Sequence, residues 1–266
     1  MRGTYRGVRQ SCVQYNMLLR SFLFGFVCAV LYWAARIHLN TPQFINDLGG
    51  LSAFLGVFGT LYGILAAFVV FEVWSQYNRI SALIGKEAQA LEQLFRLSLY
   101  FRDPEFTQRI EQGIREYIEY IVEGKFRLLA QGKRNAKSGL ALRKISEVIQ
   151  SVDFDDDHDS IVFEQIVEHY GELALLRTER TNESRNRLPR FLKYFIYLAS
   201  SFALVTFLLM PFEVAFYGLF SAFVIGFLQA MVFQLIEELD NPFKGSMQLT
   251  TQPFEMALKH IEEDYN

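Results

Sequence analysis

The stretch GILAAFVVFEVWSQYNR, Gly63 to Arg79, decides the architecture. It opens apolar on every face and ends in Trp, Gln, Tyr, Asn and Arg, with no proline and no further glycine to break it. A helix that is apolar all round for so long is solvated by lipid rather than water. Trp74 and Tyr77 are residue types of the membrane–water boundary. Upstream the apolar run reaches back to Leu48, and downstream no proline or glycine pair occurs before Tyr100. Gly85 alone costs about 1 kcal/mol against alanine. One helix is therefore expected to cross the bilayer and continue into the cytoplasm as a stalk.

Three further apolar blocks flank it: Met17 to Ile37, Phe191 to Met210 and Val214 to Ile236. Each approaches the roughly 20 residues that span the hydrocarbon core. Together with Leu48 to Val73 they concentrate the apolar residues, 51% of the 266, toward the two ends of the chain, and they include many of the 26 Phe. Arg2, Arg6 and Arg9 precede the first block and Arg20 lies at its start, as they would in a signal peptide, but its apolar run exceeds a cleavable core and another span follows at once. It reads as a retained anchor. The turns His38–Asp47 and Pro211–Glu213 carry no Lys or Arg, whereas Arg79, Lys86, Arg187, Arg190 and Lys193 lie near the opposite membrane ends. Both termini and the middle segment are thus expected in the cytoplasm. The expected fold is all-α, a four-span multi-pass membrane protein with a helical bundle inserted between spans two and three. Its parts are a leader (1–16), a transmembrane hairpin (17–74), the cytoplasmic bundle (75–189), a second hairpin (190–237) and a cytoplasmic tail (238–266).

Within the insert the apolar period becomes helical. Ile80, Ile84, Leu91, Leu94 and Phe95 mark the stalk. Asp103-Pro104-Glu105 then supplies an N-cap, a proline for the first helical position and a first-turn acid. Phe106, Ile110, Ile114, Tyr117, Ile118, Ile121 and Val122 mark the second helix, and Gly132 to Gly139 reads as a basic loop. Leu142, Ile145, Val148 and Ile149 mark a third, and Ile161, Ile166, Val167, Tyr170, Leu173 and Leu176 a fourth.

Chemistry-bearing motifs are few. The sequence has no GK[ST] phosphate loop, HExxH, GxSxG or paired CxxC. His38, His158, His169 and His260 are scattered, and Cys12 and Cys28 lack ligand spacing. An enzyme, a cofactor and a nucleic-acid partner are not expected. In the acidic run Asp153, Asp155, Asp157 and Asp159 alternate and Glu164 falls twelfth, as in an EF-hand loop. His158 stands where that loop turns on glycine and Ser160 where it has an aliphatic residue, so a solvated inter-helix loop is the reading preferred over calcium.

Small residues form two stripes on the second span: Ser52, Gly56 and Thr60, then Gly59, Gly63 and Ala67. Such stripes let helices approach closely in lipid; the same face around a symmetry axis would line water. Periodicity leaves both open. Glu72 is costly in the last membrane turn unless it meets water, a partner or the interface. Gln229 reads as a helix–helix hydrogen bond.

The segment Phe68 to Arg79, with Trp74-Ser75-Gln76-Tyr77, resembles the bestrophin motif in which the second membrane helix ends in a Trp-rich turn followed by Gln-Tyr. Asn241-Pro242-Phe243 resembles the motif that opens the bestrophin tail. More closely, the chain resembles a prokaryotic bestrophin-like family of unknown function. That group shares the VVxxxWxxY helix exit, the EAxALxxLxRL stalk (Glu87 to Leu97 here) and the DxPFxGxxxxxxxPFExAL tail (Asp240 to Leu258 here). The similarity covers most of the chain from about Leu48 onward.

The resemblance implies a homopentameric channel for small inorganic ions, such as chloride, with the second membrane helix lining a hydrophobic neck. It places that neck on Gly56, Thr60 and Ile64, with Trp74, Tyr77 and Arg79 anchoring the helix exit. Bestrophins have bulky neck residues, and here only Ile64 is comparable. Where some have Arg before the Trp pair this chain has Glu72, and five copies would form a negative ring, which favours cations. Lys244 to Thr251 contains no acid, so the tail calcium site of animal bestrophins is not implied. Anion against cation selectivity stays open, as does a rival reading: a non-conducting membrane scaffold or sensor whose bundle binds a partner. In a prokaryote, the implied location is the inner membrane.

Overall fold

The computed structural model describes residues 2–39, 47–101, 103–124, 126–131, 136–152 and 157–265. Those residues form α1 (Arg2–His38), α2 (Leu48–Tyr100), α3 (Pro104–Gly124), α4 (Arg127–Ala130), α5 (Ala136–Gln150), α6 (Asp157–Glu183), α7 (Arg190–Leu208), α8 (Ala215–Asp240) and α9 (Gln252–Tyr265). No strand occurs among them. Among the described residues four helices are long and apolar enough to cross a membrane: α1 from Tyr15, α2, α7 and α8. The expected continuity of the second span holds, since α2 is one helix of 53 residues that passes Gly85 unbroken.

The chain divides into two compact units, Met1–Ser75 with Leu188–Asp240, and Gln76–Arg187 with Asn241–Asn266.

The first unit is built on α1 against α8. Gly218, Ala222, Gly226 and Ala230 recur every fourth residue along α8 and are all buried. The backbones approach so closely that a Cβ on Gly218 would fall 2.1 Å from the Tyr32 hydroxyl oxygen, and one on Gly226 2.6 Å from Cys28 Sγ. Across the same seam Gln234 Nε2 donates to Ser21 Oγ at 2.6 Å. At one end Arg36 pins the α7–α8 turn, donating to the carbonyls of Phe212 (2.6 Å) and Glu213 (3.3 Å). Near the other, Lys193 Nζ meets Asp240 at 2.8 Å, and Asp240 also accepts the Leu188 N–H at 2.7 Å. Outward-facing residues such as Phe26, Leu198 and Phe216 are more than half exposed. Water does not tolerate so much continuous apolar surface; lipid does.

The second unit has one core. Ile80, Ile84, Leu91 and Phe95 of α2 pack with Ile110, Ile114 and Tyr117 of α3, Ile145 of α5, and Ile166 and Leu173 of α6. Helix α3 starts as its sequence predicts, with Asp103 Oδ1 accepting the N–H groups of Glu105 (2.9 Å) and Phe106 (3.2 Å). Gly113 lets α5 approach: a Cβ there would stand 2.7 Å from Ile145 Cγ1.

Three features differ from the sequence reading. The basic loop expected to reach Gly139 ends earlier, because α5 begins at Ala136 and buries Ser138, Ala141 and Leu142. The short helix α4 is entered through Phe126 at φ 57°, a left-handed conformation that a bulky residue rarely adopts. Burial of its ring against Phe243, centroids 5.2 Å apart, holds it there. Finally, the tail contains α9, which inserts Phe254, Ala257 and Ile261 into the second unit's core. The tail from Asn241 is part of that unit rather than an appendage.

Candidate functional site

Helix α2 uses its faces unequally. One side packs on α7: Phe54 and Phe58 surround Phe202 at ring-centroid distances of 6.1 and 5.5 Å, and the Tyr62 hydroxyl hydrogen-bonds Ser200 Oγ at 3.0 Å. Gln229 of α8 donates to the Ser200 carbonyl at 3.3 Å, the helix–helix bond its position predicts. Among the described residues, the opposite side of α2 is uncovered. Nothing lies within 4 Å of where a Cβ would stand on Gly56, Gly59 or Gly63. Both small-residue stripes of α2 are therefore open in the single chain. The small-residue seam that does pack is the one on α8, which the sequence reading passed over.

Gly56, Thr60 and Ile64 lie on this open side, and all three are exposed. Thr60 Oγ1 donates to the Gly56 carbonyl at 2.8 Å, so that hydroxyl is bound to its own helix. Each four-residue step advances about 40° around an α-helix. The four-residue row therefore drifts around the helix: Phe68, which is 67% exposed, lies about 120° from Gly56, and Glu72 about 160°. Phe68 is a bulky apolar group on this row that the sequence reading did not single out. Trp74 is 45% exposed. A groove of about 620 Å³ runs between α2 and α8 beside Gly63, Ala67, Val70 and Trp74.

In the second unit Tyr77 is half-buried, and Arg79 is exposed beside Lys86, Glu179 and Glu183. The buried member of the Trp-Ser-Gln-Tyr stretch is Gln76, 4% exposed. Its amide donates to the carbonyls of Glu183 and Asn186, where α6 ends. Sequence reasoning missed Gln76, although a polar residue at a core position of the stalk's apolar period was a visible signal.

A second missed group is charged. Glu87 is fully buried and Arg180 4% exposed. Arg180 grips both carboxylate oxygens, Nη2 to Oε1 at 3.0 Å, while the Tyr117 hydroxyl donates to Oε1. The guanidinium also lies over the Phe126 ring, 5.5 Å from its centroid. Burial opposes the Arg180 charge, but the charge and hydrogen bonds of Glu87 more than offset it and hold that pKa above its ordinary value. Burial pushes the Tyr117 hydroxyl well up and the charge of Glu87 adds to the rise, while Arg180 and Arg177 pull the other way. Helices α2, α3 and α6 are tied together at this point.

The tail motif is also structural in its contacts. Asn241 Nδ2 donates to the Ala130 carbonyl at 3.2 Å, and its Oδ1 accepts from Arg187 Nη2 at 3.0 Å. Pro242 and Phe243 are buried. Of the acidic run, Asp153 and Asp155 lie outside the described residues. Asp157, Asp159 and Glu164 fall within α6, already helical where an EF-hand loop would still be turning. No group of three or more potential metal ligands occurs among the described residues.

These arrangements sit in a recognisable frame. A Bestrophin-like domain model matches residues 21–254, nearly the whole chain. The chain belongs to the Bestrophin-like family. Two crystal structures of variants of a bacterial bestrophin homologue from Klebsiella pneumoniae share its fold. One has a TM-score of 0.67 at 15% identity, covering 93% of this chain and 98% of that one. The other has 0.64 at 16%, covering 95% and 96%. Among curated proteins, none matches the sequence significantly. An all-helical bestrophin-like membrane protein is thus the architecture in which the open face of α2 is to be understood.

Proposed function

We propose that this protein is a homopentameric ion channel, free of enzymatic chemistry, whose passive pore is lined by the open face of α2. The observation that carries the reading is the uncovered row from Gly56 through Thr60 to Ile64, on a membrane helix whose other side is packed. A face of small residues left open by its own chain is suited to surround water about a symmetry axis, and Bestrophin-like membership supports that use. Ile64, 53% exposed, serves as the apolar constriction that gates by dewetting. Gly56 and Thr60 form the wall, Glu72 stands at the exit as the charge selector, and Trp74, Tyr77 and Arg79 hold the helix exit. Asn241, Pro242 and Phe243 anchor the tail to the bundle. Both termini face the cytoplasm.

The test is a reversal potential in planar bilayers, with purified protein under a KCl gradient. Reversal near the potassium potential assigns selection to Glu72, and Glu72→Gln then reduces it. Reversal near the chloride potential makes the channel anion-selective and leaves Glu72 at the interface. Folded protein that passes no current overturns the channel reading in favour of a scaffold. Substituting Ile64→Ala raises basal conductance; unchanged conductance removes Ile64 from the gate.

A further inference from the structure

Around α2 the exposed residues are sorted by size. Successive residues of an α-helix are about 100° apart, so Gly63, Ser52 and Gly59 fall about 20°, 40° and 60° to one side of Gly56. Val57, Phe68 and Leu61 fall about 100°, 120° and 140° to the other. The first set is glycine and serine; the second is bulky and apolar, 65%, 67% and 63% exposed respectively. Thr60 and Ile64 lie between them, at about 40° and 80°. On one side of the row from Gly56 to Ile64 the helix thus has a flank without side-chain bulk, and on the other a ridge.

The small flank opens into the groove of about 620 Å³ between α2 and α8, with Gly63, Ala66 and Ala67 on one wall and Leu228 and Val232 on the other. Among the described residues nothing comes within 4 Å of a Cβ added to Gly63, so the chain does not fill its own groove there. Lipid gives no hydrophobic reward for joining two apolar surfaces; helices associate in it by close packing, which small residues permit and bulky ones complete. Groove and ridge are such a pair, the one accepting what the other projects. Being on opposite flanks of one helix, they meet only between copies. Rotation about an axis along the membrane normal keeps every residue at its own depth. Leu61 of one copy then faces Gly63 of the next, and Phe68 faces Val70, each pair offset by about 3 Å along the helix. A contact between two different patches is head-to-tail, and repeated around an axis it closes a ring.

We propose that the ridge of Val57, Leu61 and Phe68 on one copy of this chain seats in the α2–α8 groove of the next. This contact presupposes α2 as the wall of an oligomeric pore, the function proposed above, and is what closes that wall. Thr60 and Ile64, between the two flanks, are left facing the enclosed space, while Phe68 packs between copies rather than lining it.

The experiment is oxidative crosslinking of the full-length protein in membranes, read as bands on a denaturing gel. Leu61→Cys/Gly63→Cys sets its two thiols about 160° apart on α2, pointing away from each other and unable to join within one chain. Oxidation converts most of this variant into a ladder of two or more chains that ends at the ring size. Either single variant, and the wild type with Cys12 and Cys28, stays monomeric on the gel. Phe68→Cys/Val70→Cys gives the same ladder and serves if the first pair does not fold. Dimers from Leu61→Cys alone, which set ridge against ridge, or a folded pair that gives no ladder, overturn the proposal. Ala67→Trp fills the groove and shifts the purified protein from oligomer toward monomer in size-exclusion chromatography; an unchanged oligomer leaves the groove to lipid chains and likewise overturns it. Crosslinking does not depend on ion flux. A ladder without current keeps the contact and removes the channel, and current without a ladder does the reverse.

Discussion

Replacing Arg180 with Met leaves the Glu87 carboxylate fully buried, with Tyr117 as its remaining hydrogen-bond donor among those described above. Removing one partner of a buried ion pair costs about 3–5 kcal/mol, because the other charge keeps its desolvation penalty and loses its compensation. Both groups are almost inaccessible to solvent, so screening offers little relief. A domain of 150–250 residues loses roughly 2–4 °C of melting temperature per kcal/mol, so a fall of roughly 6–20 °C is expected. Glu87→Gln should cost less, since the amide still bonds Tyr117 while Arg180 is left buried beside the Phe126 ring. The double variant Glu87→Gln/Arg180→Met removes both charges and should recover much of the single-variant loss, a coupling of about 0.5–3 kcal/mol. The assay is fluorescence-monitored unfolding of detergent-solubilised protein at pH 7, with all four members of the cycle at equal concentration. A loss under 2 °C for Arg180→Met, or a double variant whose loss is the sum of the singles, refutes the reasoning.

The remaining predictions concern the same two units. Folded Tyr117 has its pKa raised, so the unfolded chain ionises first, near the ordinary value of 10.0, and stability present below that pH is lost above it. Wild-type stability should therefore fall more steeply above pH 10 than that of Tyr117→Phe, and parallel pH profiles would exclude the effect. Gly226→Ala drives a Cβ to 2.6 Å from Cys28 Sγ and should destabilise by about 1–3 kcal/mol. Gly85→Ala, with nothing within 4 Å, should stabilise by up to about 1 kcal/mol, and the two melting temperatures check the contrast. Gln76→Ala leaves the carbonyls at the end of α6 without that donor and should cost about 1–3 kcal/mol, read as faster proteolysis at Glu183–Asn186.

The four spans, the unbroken α2 and the Asp103 cap were legible because hydropathy, period and capping are properties of neighbouring residues. Helix α9 was also written in Phe254, Ala257 and Ile261, spaced three and four residues apart, but so short an apolar stripe acquires its place only from the core that buries it. The start of α5 was obscured by the basic, glycine-bounded composition around it, and its burial of Ser138 depends on a partner helix.

For the candidate site the division is sharper. The sequence alone determined that α2 carries small residues every fourth position and that its end is rimmed with Trp, Tyr and charge. It could not determine which faces are covered, because a stripe that packs and a stripe that stays open have the same period. Only the tertiary structure closed the Gly218–Ala230 seam of α8 on α1 and left Gly56, Gly59 and Gly63 of α2 uncovered. It likewise joined Glu87 to Arg180 across 93 positions and Asn241 to Ala130 across 111. Such pairs leave no local trace: each residue taken by itself is an ordinary polar side chain, and the energy that makes it matter appears only when its partner is brought into the same dry interior.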